Sequence, residues 1–569
     1  MERRREEFKG FSGEAFTGFD AGRSHVCENP NCNICGVREV HNIEVERVEE
    51  GWIFRAGGKE YGPVRDVLAL DPMDIVKALD VRPEDAIAAR LHASTAEVER
   101  PLSLDDLAGI LETTIKRDRE NKVITFLNML SAYLDEPFNI SFRAESSTGK
   151  SYIPLEIAQL FPEEDVIEIA YASPTAFYHD TGKWDEDAQA IIIDLSHKIL
   201  IFLDQPHDQL LERLRPLLSH DRRELIYKIT DKREKAGLRT KTVKILGFPA
   251  VIFCTGRLRI EDQEATRMIL LSPEVSQEKI REAIYLRALR EGDRRRFSEW
   301  VENDPRRKAL RERIKRIKAA GIRDVRIPDP EKIAERFMES KQILKPRHAR
   351  DIARIIDIIK ARALLNLFHR KRDGDVIEAS EEDVEEAFRL YEKISTAQEL
   401  GVPPYVLRVY EEVILPGAKA SQKGGLTRRE IMALYLQKFG RPLPEHILRR
   451  ELVPALAAAG LVIEEPDPDF RQRKLIKPVE LQASSFTPPS SLQDFRQQGG
   501  VNHDKALITP PSSLDSCRQQ GGVEGESEYF KPGSGLCEFC GEEAAERYAV
   551  RTRWGTRFLC RKCAGEVEA

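Results

Sequence analysis

One stretch limits the folds open to this chain more than any other: Phe142 to Ser151 reads F-R-A-E-S-S-T-G-K-S. A small residue, Ala144, is followed by four spacers, Glu145, Ser146, Ser147 and Thr148, and then by Gly149, Lys150 and Ser151, the pattern of a phosphate-binding loop. Such a loop wraps backbone N–H groups around a triphosphate, while its lysine meets the outer phosphates and its hydroxyl meets Mg²⁺. It requires a strand before it and a helix after it. Asn139-Ile140-Ser141-Phe142 is strand-like, and Leu155-Glu156-Ile157-Ala158-Gln159-Leu160 has helical spacing that stops at Phe161-Pro162. Pro154 falls in the first helical turn, where a missing N–H costs little. Residues 144–151 are therefore expected to bind ATP with Mg²⁺.

If Lys150 holds a triphosphate, a second buried strand should deliver a carboxylate towards the metal. Ile199-Leu200-Ile201-Phe202-Leu203-Asp204 is a continuous apolar run, as suits a central parallel strand, and it ends in Asp204 at the edge where ligands bind. A third apolar run, Pro249 to Cys254, ends in Thr255, whose hydroxyl can orient water or the γ-phosphate. Twelve residues beyond Thr255, Arg267 precedes another apolar strand, Met268-Ile269-Leu270-Leu271. A single arginine beside a developing phosphoryl charge contributes a large rate factor, from within the subunit or from a neighbour.

In this order the motifs resemble those of the AAA+ ATPases, within them the helicase group that includes minichromosome maintenance helicases and primase-associated helicases of mobile elements. The resemblance covers about 140 to 280 and, more loosely, 343 to 394. It implies that Lys150 and Ser151 are the Walker A lysine and Mg²⁺ ligand, and Asp204 the Walker B aspartate. It further implies that Thr255 is the sensor-1 residue, Arg267 the arginine finger, and Arg347 the sensor-2 arginine that opens a helical lid. One departure stands out. The family has Asp-Glu at the end of the second strand, whereas Asp204 is followed by Gln205. An amide orients water but takes no proton, so hydrolysis is slow, or Asp208 or Glu212 substitutes, or ATP acts as a binding switch.

A length of 569 residues implies several domains. The fold expected is multidomain α/β, an AAA+ P-loop parallel sheet with a helical lid, a C-terminal winged helix and zinc-binding modules at both ends. The divisions are an N-terminal Cys/His module over 1–64, a helical region over 65–134, the ATPase core over 135–280 and a helical linker and lid over 281–400. A winged-helix domain over 401–480, a low-complexity linker over 481–530 and a zinc ribbon over 531–569 complete the chain. The linker carries a 22-residue repeat: Thr487-Pro-Pro-Ser-Ser-Leu and Thr509-Pro-Pro-Ser-Ser-Leu each lead into Arg-Gln-Gln-Gly-Gly-Val. Pro, Ser, Gln and Gly at this density cannot build a core.

Of nine cysteines, four form Cys537-x2-Cys540 and Cys560-x2-Cys563, nineteen residues apart, the spacing of a closed tetrahedral Zn²⁺ site. A second cluster, His25, Cys27, Cys32 and Cys35, offers three thiolates and an imidazole for Zn²⁺, with His41 as an alternative fourth ligand. Cys254 sits in an apolar strand and reads as core.

Charged residues make up 33% of the chain and the net charge is −6, so no global basic field points to nucleic acid and any contact must be local. Between the second and third core strands, Glu224 to Thr230 and Leu238 to Ile245 alternate β-branched and basic residues around a charged turn, which predicts a long hairpin. Its tip and one face carry Lys232, Arg233, Lys235, Arg239 and Lys241. In the helicases that this chain resembles, such a hairpin enters the central channel of a hexamer and grips DNA; the alternative is a solvated hairpin laced with its own ion pairs. Further on, Thr427 with Glu430 reads as a capping box, a turn at Gly440-Arg441-Pro442 leads to a second helix from Pro444 to Ala459, and two wing strands follow. Arg449 and Arg450 on that helix are candidate DNA contacts, although winged helices also bind proteins.

The expectation is a homo-oligomeric, hexameric, ATP-dependent DNA helicase or translocase acting in replication, with a protein partner possible at the C-terminal ribbon. An ATP-switched initiator, loader or regulator with little hydrolysis is the alternative that Gln205 favours; a remodeller of proteins is a third. With no apolar run of about 18 residues and no signal-peptide pattern after Met1, a cytoplasmic protein without membrane contact is expected.

Overall fold

The computed structural model describes residues 38–145, 148–170, 182–186, 189–204, 208–220, 222–231, 239–258, 267–341, 343–470 and 472–479, together with short strands between 535 and 560. The chain divides into two compact units, Met1–Gln482 and Ala483–Ala569. His25, Cys27, Cys32 and Cys35, the loop residues Ser146 and Ser147, Gln205, the hairpin tip with Lys232, Arg233 and Lys235, and Cys537, Cys540 and Cys563 lie outside the described residues.

The first unit begins with an antiparallel meander of β1 (Arg38–Val40), β2 (Ile43–Val48), β3 (Gly51–Ala56) and β4 (Lys59–Val64). Alternation places Ile43, Val45, Trp52 and Phe54 on one face, where the helices Pro72–Leu79 and Pro83–Glu99 bury them. Residues 140–271 then supply nine strands: β5 (Ile140–Arg143), β6 (Val166–Ile169), β7 (Lys183–Asp185), β8 (Ala190–Asp194), β9 (Ile199–Phe202), β10 (Glu224–Asp231), β11 (Arg239–Leu246), β12 (Ala250–Thr255) and β13 (Ile269–Leu271).

Five of them form a parallel sheet in the order β13-β5-β12-β9-β6. The interior strands β9 and β12 are buried on both faces, which is why they read as nearly unbroken apolar runs. Ile199, Ile201, Ile252 and Cys254 face a core shared with the helices Arg119–Ser131, Tyr152–Ala158 and His348–Leu365. Leu200, Phe202, Val251 and Phe253 point the other way, towards the helix Asp208–Leu218, with Phe202 and Phe253 stacked at 5.0 Å between centroids. The edge strand β13 is closed by one side chain, since Gln398 donates to the Leu270 carbonyl at 2.8 Å and accepts from the Leu270 N–H at 2.9 Å. The amide thus pairs with the exposed edge as another strand would.

The other four strands form a second sheet, β10-β11-β8-β7. The expected hairpin is there: β10 and β11 pair antiparallel from Glu224 opposite Leu246 to Asp231 opposite Arg239. What the sequence did not announce is that β11 runs parallel to β8, and that β8 returns through β7, so two hairpins lie side by side.

Beyond β13 the chain is mostly helical from Gln277 to Leu400, as its charge-rich periodicity predicts. Within this stretch a tight turn at Gly374, at φ +63°, joins the short strands Arg372–Asp373 and Val376–Glu378. Residues 402–479 form a separate small core. Thr427 and Glu430 make the expected capping box on the helix Arg428–Phe439, and Gly440 ends it in the left-handed region at φ +70°. A second helical stretch over 445–458 passes through one π-helical turn, and the strands Leu426–Thr427, Val462–Pro466 and Lys474–Pro478 form a three-stranded antiparallel sheet. In the second unit Gly535–Leu536 pairs with Glu543–Ala544, and Arg547–Thr552 with Gly555–Cys560, which places Cys560 at the end of a hairpin.

Candidate functional site

The phosphate-binding loop springs from the C-terminal end of β5. Gly149 has φ +93° and nothing within 4 Å of where a Cβ would stand, so it is the backbone conformation rather than lack of space that calls for glycine. Its carbonyl accepts the N–H groups of Tyr152 and Ile153 and starts the helix Tyr152–Ala158, in which Pro154 occupies the first turn as expected. The Lys150 ammonium donates to the Glu145 carbonyl at 3.3 Å, and Thr148 donates to the same oxygen at 2.9 Å. Burial pulls the Lys150 ammonium below the usual lysine range, against the pull of the Cys254, Asp204 and Glu145 side chains nearby. Added negative charge at this spot, such as phosphate, would be stabilised by restoring the ammonium's counter-charge.

The sheet order brings the sequence-predicted residues together. β12 lies between β5 and β9, pairing Thr255 with Arg143 on one side and Phe253 with Phe202 on the other. Two residues past Phe202, Asp204 reaches the same level as Thr255. Lys150, Thr255 and Asp204 therefore converge on one edge of the sheet, the edge at which parallel α/β sheets bind ligands. Thr255 is buried, and its hydroxyl accepts the Arg257 N–H at 3.0 Å. Asp204 is exposed in the turn that follows β9. Cys254 is core, as expected, and lies directly under the loop: its thiol donates to the Lys150 carbonyl at 3.4 Å, and burial pushes it up to about 12.

Two expected arginines are placed elsewhere. Arg267 stands just before β13, beside Phe138 and Asn139 at the opposite edge of the sheet, and donates to Ser219 Oγ at 2.5 Å. It cannot reach the loop of its own subunit. Arg347 is held by Asp351 at 3.2 Å and by the Glu399 carbonyl at 2.9 Å, and it does not line the cavity beside the loop.

That cavity, of about 670 Å³, opens at Thr148 and Gly149 between the helices Tyr152–Ala158 and Gln277–Gly292. Its cationic lining residues, Lys116, Lys279, Arg287, Arg290 and Arg441, were not singled out from sequence. Arginines and lysines are too abundant here, at 90 in the chain, for position alone to mark them. Several already have partners, since Arg290 meets Glu156 at 2.6 Å and Lys279 pairs with Asp118. Arg441 comes from the 402–479 domain, which docks on this edge of the sheet. Leu258, following Thr255, packs into that domain's core, and its N–H donates to Glu451 at 2.6 Å.

A second candidate surface is a groove of about 790 Å³ in the 402–479 domain, lined by Arg428, Arg429, Arg449, Arg473 and Lys474. It includes Arg449 but not Arg450. Glu464 holds Arg428 and Lys474, at 2.9 and 2.8 Å. On the second sheet, Leu225, Tyr227, Val243 and Ile245 form the core face of the hairpin, and Lys228 is exposed on the other. Arg239 and Lys241 occupy positions opposite Asp231 and Ile229 near the hairpin tip.

Among the described residues no cluster of three or more His, Cys, Asp or Glu side chains could hold a metal ion, and no helix is long and apolar enough to cross a membrane. No family model matches the chain, and no curated protein matches it.

Proposed function

We propose that this chain is an AAA+-type, Mg-ATP-dependent DNA translocase or helicase that works as a homo-oligomeric ring. The observation that carries the proposal is the convergence of Lys150, Thr255 and Asp204 at one edge of a five-stranded parallel sheet. The donor set fits Mg-ATP. Lys150 and the loop N–H groups would hold the phosphates, and the Ser151 hydroxyl and Asp204 carboxylate would hold the metal. Bound Mg²⁺ supplies charge neutralisation on the phosphates. Thr255 would fix the orientation of the outer phosphate or of water, and Arg267, far from its own loop, would complete the site of a neighbouring subunit.

The hairpin β10–β11 and the basic groove around Arg449 support DNA as the partner, with the 402–479 domain acting as a winged helix. A ring of hairpin tips would concentrate the positive field that the net charge of −6 denies the chain as a whole. Zn²⁺ held by Cys537, Cys540, Cys560 and Cys563, and by the His25, Cys27, Cys32 and Cys35 cluster, would build small modules at either end.

DNA-stimulated ATP turnover and strand displacement by the full chain, both abolished by Lys150→Ala, are the expected results. ATP binding with no turnover under any DNA condition would instead favour an ATP-switched initiator or loader, the reading that Gln205 supports. Reversing charge with Lys232→Glu and Arg233→Glu should weaken DNA binding and flatten its salt dependence by about two phosphate contacts' worth of slope. An unchanged salt slope would reduce the hairpin to a solvated surface element.

A further inference from the structure

The first residue of the loop's spacer, Glu145, directly after Ala144, does not face the phosphate site. Its side chain is buried and turned towards the 402–479 domain, where three side chains meet it. Tyr405 donates to Glu145 Oε1 at 2.5 Å, and the Tyr435 hydroxyl lies 2.7 Å from the Tyr405 hydroxyl. Arg441 donates from Nε to the Tyr435 hydroxyl at 3.1 Å, and its Nη2 stands 2.9 Å from Glu145 Oε2, close enough for an ion pair but not aligned for a hydrogen bond. Because a carboxylate only accepts, Tyr405 must donate to Glu145, so Tyr435 donates to Tyr405 and receives from Arg441. The hydrogen bonds run in one direction from Arg441 through Tyr435 and Tyr405 to Glu145, the Tyr435 hydroxyl also stands 3.4 Å from the carboxylate, and the ion pair of Arg441 with Glu145 closes the circuit.

The local sequence explains how Arg441 comes to be there. The helix Arg428–Phe439 stops at Gly440, whose left-handed φ of +70° turns the chain so that Phe439 and Arg441 both line the cavity that opens at Thr148 and Gly149. Leu443, buried two residues later, anchors the exit of the turn. The cavity lining combines apolar side chains, Ile153, Ile280, Ile284 and Phe439, with the loop residues Thr148 and Gly149. A cavity of this size that carries apolar side chains and is continuous with a phosphate-binding loop matches a nucleoside triphosphate.

We propose that the 402–479 domain forms a wall of the nucleotide site within the same subunit, with Phe439 packing on the nucleobase and Arg441 leaving Glu145 for the phosphates when nucleoside triphosphate binds. This rests on the loop being an ATP site, and it deepens that reading. The Arg441 side chain is 29% exposed and its guanidinium is paired to a single carboxylate without alignment, so a triphosphate with several charged oxygens can outcompete Glu145 for it. Releasing Glu145 loosens the loop from Tyr405 and Tyr435. Nucleotide occupancy then changes how firmly the domain that bears the Arg449 groove is held to the ATPase core.

The test is a titration of the full-length protein with a fluorescent ATP analogue, run beside photolabelling with 8-azido-ATP and peptide mapping. Arg441→Ala should weaken ATP binding about tenfold, with partial rescue in Arg441→Lys, and the photolabel should appear on the peptide that contains Phe439. Glu145→Gln removes the competing charge and should tighten ATP binding several-fold, an effect that damage to a structural contact would not produce. If the wild type binds ATP, Lys150→Ala does not, and Arg441→Ala and Glu145→Gln bind like the wild type, the proposal is overturned while the loop reading stands. Photolabel confined to peptides from residues 102–290 would overturn it equally, even if Arg441→Ala fails to fold. A wild type that binds no ATP would sink both.

Discussion

At the scale of single residues, the loop rests on conformation and burial more than on contacts. Gly149 adopts φ +93° in open space, so alanine there meets strain without collision. Gly149→Ala is expected to cost about 1–2 kcal/mol of local conformational energy, seen as a lowered melting temperature together with weakened ATP binding. An ATP affinity equal to that of the wild type would show that the loop conformation is irrelevant to the ligand. Asp204 and Thr255 were legible in the sequence because each closes an apolar run that can be counted, and Lys150 and Ser151 because they close the loop pattern that begins at Ala144. Arg441 was not, because nothing in Gly440-Arg441-Pro442 says what lies opposite the turn. Cys254 was legible as core but not as the floor of the loop, since the pairing of β12 with β5 decides that.

Among the elements, the helices from His348 to Leu400 are joined by a buried charge network. Asp383 is fully buried, pairs with Arg362, meets Arg370 Nε at 2.6 Å and caps its own helix through the Ser380 N–H at 2.8 Å. Burial pushes its carboxyl up, but the hydrogen bond and charge of Arg370 and the charge of Arg362 outweigh it and hold the group below the usual aspartate range. A depressed carboxyl adds stability above its unfolded value of about 3.9 and loses it as pH falls through the lower folded value. Asp383→Asn, which leaves two buried guanidinia short of charge, should cost about 3–5 kcal/mol at neutral pH by denaturant unfolding. The gap between wild type and variant should hold down to about pH 4 and close below it. A gap that instead widened in acid would contradict the ion-pair account.

Elements also differ in how plainly they were written. The capping box of Thr427 and Glu430 and the turn at Gly440 are local chemistry and were read correctly. The hairpin β10–β11 was read from alternation, but its partnership with β8 was not. Nothing in a short strand such as Lys183–Asp185 states which neighbour it will pair with, because backbone hydrogen bonds carry no sequence label.

For the whole molecule, the decisive fact is that Lys150 and Arg267 occupy opposite edges of one sheet, separated by the length of β5, roughly 10 Å or more. If Arg267 acts on ATP at all, it acts on a neighbour's. Lys150→Ala and Arg267→Ala should each abolish turnover as pure proteins, whereas Arg267→Ala should still bind ATP. Mixing the two variants should restore a fraction of the ATPase activity, since some interfaces then join an intact loop to an intact arginine. No recovery on mixing, with subunit exchange verified, would remove Arg267 from the reaction.

By itself the sequence determined what depends on neighbours along the chain: the loop, its flanking strand and helix, the buried strands that lead to Asp204 and Thr255, the caps, and the hairpin. Only the tertiary structure decided which distant pieces meet. It set β12 between β5 and β9, sent Arg267 away from its own loop, and brought Tyr405, Tyr435 and Arg441 onto Glu145 across some 260 to 296 residues of chain. Local propensities act over a turn or two, whereas these meetings follow from how the apolar faces of two cores are jointly buried.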